Sequence, residues 1–410
     1  MIYNANGSIS GTAPSDSTKY HSGDTVHVAG NTNLAETWYS FAGWNTKTDQ
    51  SGTYYAAGST FIMGSSDVTL YAMWGGTTST LAGSGTSGSA NGTGTEASFN
   101  IPEGLAADSN GNIYVADSGN NLIRKITPAG VVTTFAGSGA TGSTNGPALT
   151  ASFNGPDGIA IDSGGNLYVT DCMNNLIRKI TPTGTVSTLA GSGAKGSTNG
   201  AGIAASFYLP SGIIVDPAGT VYVADSGNNI IRAITPGGVV STFAGTGTQG
   251  FQNGSRTTAS FDDPGGIAED SLGNLYISDY ENEVIRKITS GGTVSTFAGG
   301  GGGSSDQGAG FINGKGTAAA FWGPCFIAID SSGNLYVTDL MNQQVRKITP
   351  DGVVTSLAGA WPIIDGFYSP VEGESNGVGP AATFSDPTGV AVDSSGNVYV
   401  ADYFFIRKIQ

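Results

Sequence analysis

The repeated motif Pro-x-Gly places acidic side chains at two positions where chemistry could occur. Its central residue is Glu103 in the first copy and Asp157 in the second. Paired carboxylates can bind calcium, which prefers oxygen ligands, or act as general acid and base. At this position the other copies have residues without a carboxylate, namely Ser211, Gly265, Cys325 and Thr388. The alternative interpretation is that Glu103 and Asp157 are solvated turn residues.

A third acid, Glu269, stands where the other copies have alanine, isoleucine or valine. Calcium binds six to eight oxygen atoms, and backbone carbonyl groups could add to those of the side chains. Glu103, Asp157 and Glu269 are therefore weak metal candidates. They leave open a calcium-dependent hydrolase of the lactonase type, with its acids in a central channel.

Other catalytic groups are scarce. Residues 75–410 contain no histidine, because His21 and His27 both precede them. This removes the commonest general base and metal ligand, and neither Cys172 nor Cys325 has a histidine partner that could activate it. We therefore predict a protein that is not an enzyme and requires no cofactor.

A long repeat organises residues 77–410. The aspartate of "VADSGNNLIRKI" recurs at 117, 171, 225, 279, 339 and 402, with spacings of 54, 54, 54, 60 and 63 residues. Each copy contains four strand-like runs, which in the second copy are residues 158–162, 167–171, 176–180 and 185–191. Six copies of four short antiparallel strands predict an all-β fold, a six-bladed β-propeller.

The last copy ends at Gln410, after its third strand. The segment "TTSTLAG" (77–83) has the sequence of a fourth strand but follows no repeat. We expect it to complete the last blade, which closes the ring and covers an exposed strand edge. The predicted domains are thus residues 1–74 and a propeller of residues 75–410.

Two families are recognisable in these sequences. The motif "PxGIAxDSxGNxYVADxxNNxIRKI" resembles the NHL repeat, which implies a six-bladed propeller. The motifs "FAGWNT" and "TLYAMW" in residues 1–74 resemble a Listeria–Bacteroides (internalin-B-type) repeat. That resemblance implies a small β-grasp-like domain of the kind found on bacterial surface and secreted proteins.

The arginine of "IRKI" has a structural interpretation. Strand alternation places Arg124 on the same face as Leu122 and Ile126, so it should be buried. A buried arginine needs a carboxylate or carbonyl partner, and the repeated aspartates are the obvious candidates. We predict that these pairs are structural ties within or between blades and are not sites.

The copies differ on one face. Antiparallel order places the turns between second and third strands, and the connections between copies, on the same end of the propeller. The insertion at residues 360–375 carries five large apolar residues, Trp361, Ile363, Ile364, Phe367 and Tyr368. The turns add Tyr280, Leu340, Met341, Tyr403 and Phe404. An exposed apolar patch favours a protein or glycan partner, although the insertion could instead pack over the channel mouth.

Charge limits the class of partner. The net charge is −15 and only 11% of residues are charged, so nucleic acid and anionic membrane surfaces would be repelled. No apolar run approaches the roughly 18 residues of a membrane span, which predicts no membrane insertion. We expect an extracellular or cell-surface bacterial binding protein. Self-association into an array is an alternative, because both ends of the chain coincide with domain edges.

Overall fold

The computed structural model describes residues 1–36, 39–48, 52–300, 310–360, 363–364, 367–368 and 371–410. Six antiparallel sheets form the blades of a propeller, as the repeat predicts. In each blade we name the strands a to d from the centre outward. Strands a of neighbouring blades contact one another around the whole ring, including those of blades 6 and 1.

Strands a to c have the same register in all six blades. Strands a are Pro102–Ala107, Pro156–Ile161, Pro210–Val215, Pro264–Glu269, Pro324–Ile329 and Pro387–Val392. Strands b are Ile113–Asp117, Leu167–Asp171, Val221–Asp225, Leu275–Asp279, Leu335–Asp339 and Val398–Asp402. Strands c are Leu122–Ile126, Leu176–Ile180, Ile230–Ile234, Val284–Ile288, Gln344–Ile348 and Phe405–Ile409.

The outer part of each blade contains one more strand than predicted. Strands d are Val131–Ala136, Thr185–Ala190, Val239–Ala244, Thr293–Ala298, Val353–Ala358 and Thr77–Ala82. Each pairs with a fifth, two-residue strand that the sequence did not predict. These short strands are Gly92–Thr93, Gly146–Pro147, Gly200–Ala201, Gly254–Ser255, Gly314–Lys315 and Gly377–Val378.

Strand Thr77–Ala82 closes the ring. Its Thr80 pairs with Arg407 and its Thr78 with Ile409, in the strand c that ends the last repeat. Thr78 also pairs with Gly377 on the other side, so the segment lies between two strands of blade 6. The prediction that this segment completes the last blade is confirmed.

Apolar side chains fill the space between neighbouring blades. Between blades 1 and 2, for example, Ala106 and Tyr114 pack with Phe153, Ile159 and Val169. Alternation along each strand directs side chains to both faces of a blade, so every blade contributes to two such cores. This repeated packing holds the strands a around the central channel.

Each blade also contains a buried ion pair. Arg124 Nη1 lies 2.8 Å from Asp117 Oδ2, and both side chains are inaccessible to solvent. The Arg124 guanidinium also donates to the Ser98 and Ala90 carbonyls and to the Asn91 side chain. The other five blades repeat the ion pair, which confirms the predicted tie.

Residues 1–75 form two small sheets. One contains Ile2–Asn4, Ser40–Asn45, Tyr54–Tyr55 and Thr69–Gly75, and the other contains Thr25–His27 and Thr60–Ile62. The buried Trp44 ring packs against Tyr3 and Phe41, and its Nε1 donates to the Ala29 carbonyl.

This small region packs against blades 5 and 6. Lys347 donates to the Tyr39 hydroxyl, and the Gly76 amide donates to the Leu357 carbonyl. Gly75 lies so close to Gly379 that a Cβ atom at Gly75 would meet the Gly379 backbone at 2.6 Å. These contacts join it to the flank of the propeller.

Short 3-10 helices complete the described secondary structure. Five follow strand b: Ser118–Asn120, Cys172–Asn174, Ser226–Asn228, Tyr280–Asn282 and Leu340–Asn342. Four precede strand a: Gly94–Glu96, Gly202–Ala204, Gly316–Ala318 and Gly379–Ala381. Across the described residues, no helix has the length and hydropathy that a membrane span requires.

Candidate functional site

The upper face is the end of the propeller that carries the b–c turns. These turns lie beside the start of strand a, since the Ser118 and Gly119 amides donate to the Ile101 and Asn100 carbonyls. The lower face carries the a–b turns. Every turn residue that the sequence analysis proposed for binding therefore lies on the upper face.

Three of these turn residues meet across the boundary between blades 4 and 5. A Cβ atom at Gly323, whose φ is +68°, would lie 3.2 Å from both the Tyr280 ring and Met341 Cγ. The Leu340 amide donates to the Gly323 carbonyl, so its turn is held at the same place. Tyr280, Leu340 and Met341 thus form one group around Gly323.

Trp322 extends this group, although sequence reasoning missed it. Its backbone accepts a hydrogen bond from the Met341 amide, and its side chain is 41% exposed. Met341 is exposed to a similar extent, 43%. Tryptophan is enriched in binding hot spots, so its position beside Met341 and Tyr280 strengthens this surface as a candidate contact.

Blade 6 contributes a second aromatic group. The Tyr403 and Phe404 rings lie 4.0 Å apart between centroids, and Tyr403 is 43% exposed. Tyr403 has a φ of +58°, in the region that aspartate, asparagine and glycine occupy most readily. The shortened turn of this last repeat therefore presents its tyrosine in an unusual backbone conformation.

The apolar insertion is described only in part. Residues 363–364 and 367–368 pair as a two-stranded hairpin, in which Ile363 faces Tyr368 and Ile364 faces Phe367. Their side chains, and Trp361 altogether, lie outside the described residues. The role of this hairpin in binding stays a prediction.

The channel mouth lies at the centre of the upper face. We call the six residues that follow the first proline of strand a the mouth ring: Glu103, Asp157, Ser211, Gly265, Cys325 and Thr388. In five blades a glycine comes next, and in blade 5 it is Phe326. The following glycine lets the neighbouring strand approach, because a Cβ atom at Gly104 would lie 2.5 Å from the Asp157 carbonyl oxygen. Glu103 and Asp157 are therefore on adjacent strands in direct backbone contact.

Burial raises the pKa of both Glu103 and Asp157. The pKa of Glu103 lies well above its usual value because of burial and the nearby Asp157 and Asp386. Burial raises the pKa of Asp157 to about 7, against a hydrogen bond from Ser211 that lowers it. Asp157 Oδ1 is buried and has no hydrogen-bond partner in the described part of the chain.

Two further carboxyl groups surround the mouth, at positions that sequence reasoning missed. Asp263 and Asp386 each precede the proline of strand a, and burial raises the pKa of both. The exposed Ile101 occupies the same position in blade 1, with a φ of +50°. The two residues before the first proline of strand a differ from repeat to repeat. This variation could have identified Asp263, Asp386 and Trp322 from the sequence.

Both cysteines are free thiols near this mouth. Burial raises the pKa of Cys325 well above its usual value, and the neighbouring carboxylates raise it further. The pKa of Cys172 is raised in the same way by burial and by Asp157 and Asp171. Neither thiol has the environment of an activated nucleophile.

The mouth residues do not fit a calcium centre. Within the described ranges, no three histidine, cysteine, aspartate or glutamate side chains converge as metal ligands. The third candidate, Glu269, ends strand a of blade 4 and lies at the lower opening of the channel, away from Glu103 and Asp157. We derive no reaction from a bound metal.

Comparison with known families agrees with the motifs. The NHL repeat matches residues 99–126, 153–180, 207–233 and 384–404, and the Listeria-Bacteroides repeat domain matches residues 1–73. Protein SUPPRESSOR OF QUENCHING 1 of Arabidopsis thaliana is 31% identical over 248 residues, 58% of this chain and 23% of that protein. The chain spans less than a quarter of the curated relatives it matches.

Solved structures share the fold at low identity. A Bacteroides thetaiotaomicron protein of unknown function has a TM-score of 0.63 at 18% identity, covering 94% of this chain and 86% of its own. An auxiliary nutrient binding protein of the same species scores 0.61 at 14% identity, covering 86% and 82%. A gluconolactonase of Xanthomonas campestris scores 0.53 at 13% identity, covering 82% and 89%. The chain therefore contains NHL repeats, folded as a six-bladed propeller, after one Listeria–Bacteroides repeat domain.

Proposed function

We propose that this is a non-enzymatic binding protein, secreted or displayed on a bacterial cell, whose upper face contacts a protein or a glycan. One observation carries the proposal: the exposed Trp322 and Met341 lie with the half-buried Tyr280 at the boundary of blades 4 and 5. Aromatic side chains bury large areas at low entropic cost, and exposed apolar groups of this kind mark contact surfaces.

Four acidic residues at the channel mouth support a binding role for the same face. Glu103, Asp157, Asp263 and Asp386 surround the channel mouth. Carboxyl groups beside exposed aromatic rings match the hydroxyl groups and apolar faces of a sugar, as well as a basic protein surface. The Listeria–Bacteroides repeat and the nutrient-binding structural relative are in keeping with a location outside the cell.

Arrays of immobilised glycans and extracellular proteins test this function. We expect saturable binding of the wild type that falls at least tenfold in the double variant Trp322→Ala, Met341→Ala. The matched control is Leu272→Ala, which removes an exposed apolar side chain from an a–b turn on the lower face. Equal binding by the double variant, or an equal loss in the control, would overturn the proposal.

The sequence-based alternatives predict different results. Self-association into an array would appear in sedimentation velocity as species that grow with protein concentration, whereas a binding protein of this design stays monomeric. A hydrolase with its acids in the channel would release acid from lactone substrates and lose that activity in Glu103→Gln. We expect neither result.

A further inference from the structure

The lower half of the channel contains an open cavity, lined by aliphatic side chains together with polar backbone and side-chain groups. Its volume is about 670 Å³, and all six strands a contribute to its wall. Beside glycine and alanine, the wall consists mainly of branched aliphatic side chains, with Phe326 added by blade 5. No lysine or arginine lines this cavity in the described part of the chain. Apolar surface of this kind favours a ligand with a hydrocarbon body.

Two acidic residues of blade 4, Glu269 and Asp270, line this wall. Glu269 ends strand a of blade 4, and the equivalent residues of the other blades are Ala107, Ile161, Val215, Ile329 and Val392. Its carboxylate forms no hydrogen bond or ion pair with any described residue. The adjacent Asp270, by contrast, accepts hydrogen bonds from the Leu272 and Asn274 amides and from the Tyr276 hydroxyl. Glu269 therefore has no structural task comparable to that of Asp270.

A further carboxylate, from blade 3, increases the negative potential at this opening. Asp216, in the a–b turn of blade 3, raises the pKa of Glu269 in addition to the effect of burial. In blade 4 an asparagine, Asn274, binds both carboxylate oxygens of the turn aspartate with its side chain. Blade 3 has Thr220 at that position, and only its amide donates to Asp216. Asp216 thus keeps an oxygen that faces no donor among the described residues.

We propose that the lower channel binds a small amphiphile with an aliphatic body and one ammonium group. The hydrocarbon lies against the aliphatic walls, and the ammonium group pairs with Glu269 and lies within the field of Asp216. Charge complementarity selects the cation, because the opening carries carboxylates and no basic side chain lines the cavity among the described residues. A metal ion is a poorer match, since no three histidine, cysteine or acidic side chains converge as ligands among the described residues. This site is separate from the upper face and does not depend on the function proposed there.

Three probes of equal chain length test the site: octylammonium chloride, 1-octanol and sodium octyl sulfate. Isothermal titration calorimetry of the whole protein, below the micelle concentration, measures each affinity. We expect octylammonium to bind at least tenfold more tightly than octanol, and octyl sulfate to bind more weakly than octanol. The affinity for octanol measures the contribution of the hydrocarbon chain without a charge. The ratio of the octylammonium affinity to the octanol affinity therefore measures the contribution of the ammonium charge.

Variants assign that ratio to one carboxylate. Glu269→Gln keeps the side-chain size, and Glu269→Ala restores the residue that blade 1 has at this position. Both variants should bind octylammonium and octanol equally, with octanol affinity unchanged. The matched control Glu374→Ala removes the same charge from an exposed residue and should keep the full ratio. Absence of saturable binding, equal affinity of the wild type for all three probes, or a ratio that survives in both Glu269 variants would overturn the proposal.

Discussion

Arg178 Nη1 lies 2.5 Å from Asp171 Oδ2 in the second blade, and neither side chain is accessible to solvent. The same guanidinium donates to Asn145 Oδ1 and to the Ser152 carbonyl, while its plane faces the Phe153 ring. This one side chain therefore connects strand c to strand b, to the fifth strand and to the segment before strand a. The six buried arginine–aspartate pairs give the blades the same internal structure, whereas the upper face differs from blade to blade.

Removal of the arginine from one buried arginine–aspartate pair should destabilise the propeller strongly. Arg178→Met leaves Asp171 buried without its countercharge, which costs about 3–5 kcal/mol of unfolding free energy. Lys179→Met is the matched control, because the next residue lies over the Tyr168 ring at the blade surface and should cost at most about 1 kcal/mol. Chemical denaturation measures both, and equal losses would show that the buried pair has no special role.

The closing strand should be required for a stable ring. A chain that begins at residue 76 keeps strand Thr77–Ala82, whereas a chain that begins at residue 84 exposes the edge of strand Phe405–Ile409. We expect the shorter chain to melt at least about 10 °C below the longer one, since several kcal/mol of pairing and burial are lost. Addition of a synthetic peptide of residues 75–83 should restore part of this difference. Identical melting temperatures would contradict the closure.

Asp157 should make the free energy of unfolding depend on pH. Asp157 has a usual pKa of 3.8 and a folded pKa of about 7, so the folded protein keeps a proton that the unfolded chain releases. The stability that Asp157 contributes is therefore present below about pH 4 and is lost as the pH rises through 7. A tenfold change in the acid dissociation constant corresponds to about 1.4 kcal/mol of unfolding free energy. Because the Asp157 residue as a whole is only partly buried, which weakens the effect, we expect a loss of about 1–2 kcal/mol.

Asp157→Asn tests this dependence, because asparagine does not titrate. Relative to the wild type, the variant should gain unfolding free energy progressively between pH 4 and pH 8. Urea denaturation at several pH values measures the difference. A difference that stays constant with pH would contradict the raised pKa of Asp157.

The two thiols should react slowly. Burial and the nearby carboxylates raise the pKa of Cys172 and of Cys325, and only the thiolate attacks an alkylating reagent. We expect iodoacetamide at pH 8 to label the folded protein at least tenfold more slowly than the urea-unfolded chain, as followed by mass spectrometry. Rapid labelling of either cysteine in the folded protein would be inconsistent with these environments.

Repetition explains how much of this fold could be predicted. The spacing of Asp117 and its equivalents determined the number of blades, and alternation along strand c indicated that Arg124 is buried beside Asp117. Both follow from short-range geometry that recurs six times. The unpaired segment 77–83 could be placed because only one strand was missing from the ring.

Each connection that leads into strand a contains an Asn-Gly dipeptide, such as Asn91–Gly92, and these dipeptides were harder to interpret. Their sequence favours a tight turn, but Asn91 binds the buried Arg124, and Gly92 begins a strand that pairs with Val132. This arrangement requires the guanidinium to reach a residue 33 positions earlier in the chain, a tertiary contact that no local pattern contains. The fifth strand was missed for the same reason.

The upper face was predicted only where sequence variation was obvious. Tyr280 and Met341 stood out because the same turns of the first and third copies contain serine and glycine. Trp322 and Asp263 precede strand a, where they looked like part of the strand entry. Their exposure and their proximity to the channel depend on how blades pack around the ring, which becomes visible only in three dimensions.

Hydroxyl-radical footprinting of the complex with the array-identified partner tests the central claim most directly. Bound partner should reduce the oxidation rates of Trp322, Met341 and Tyr403 at least threefold, while Leu272 on the lower face keeps its rate. Protection of Leu272, with Trp322 and Met341 unchanged, would contradict binding at the upper face.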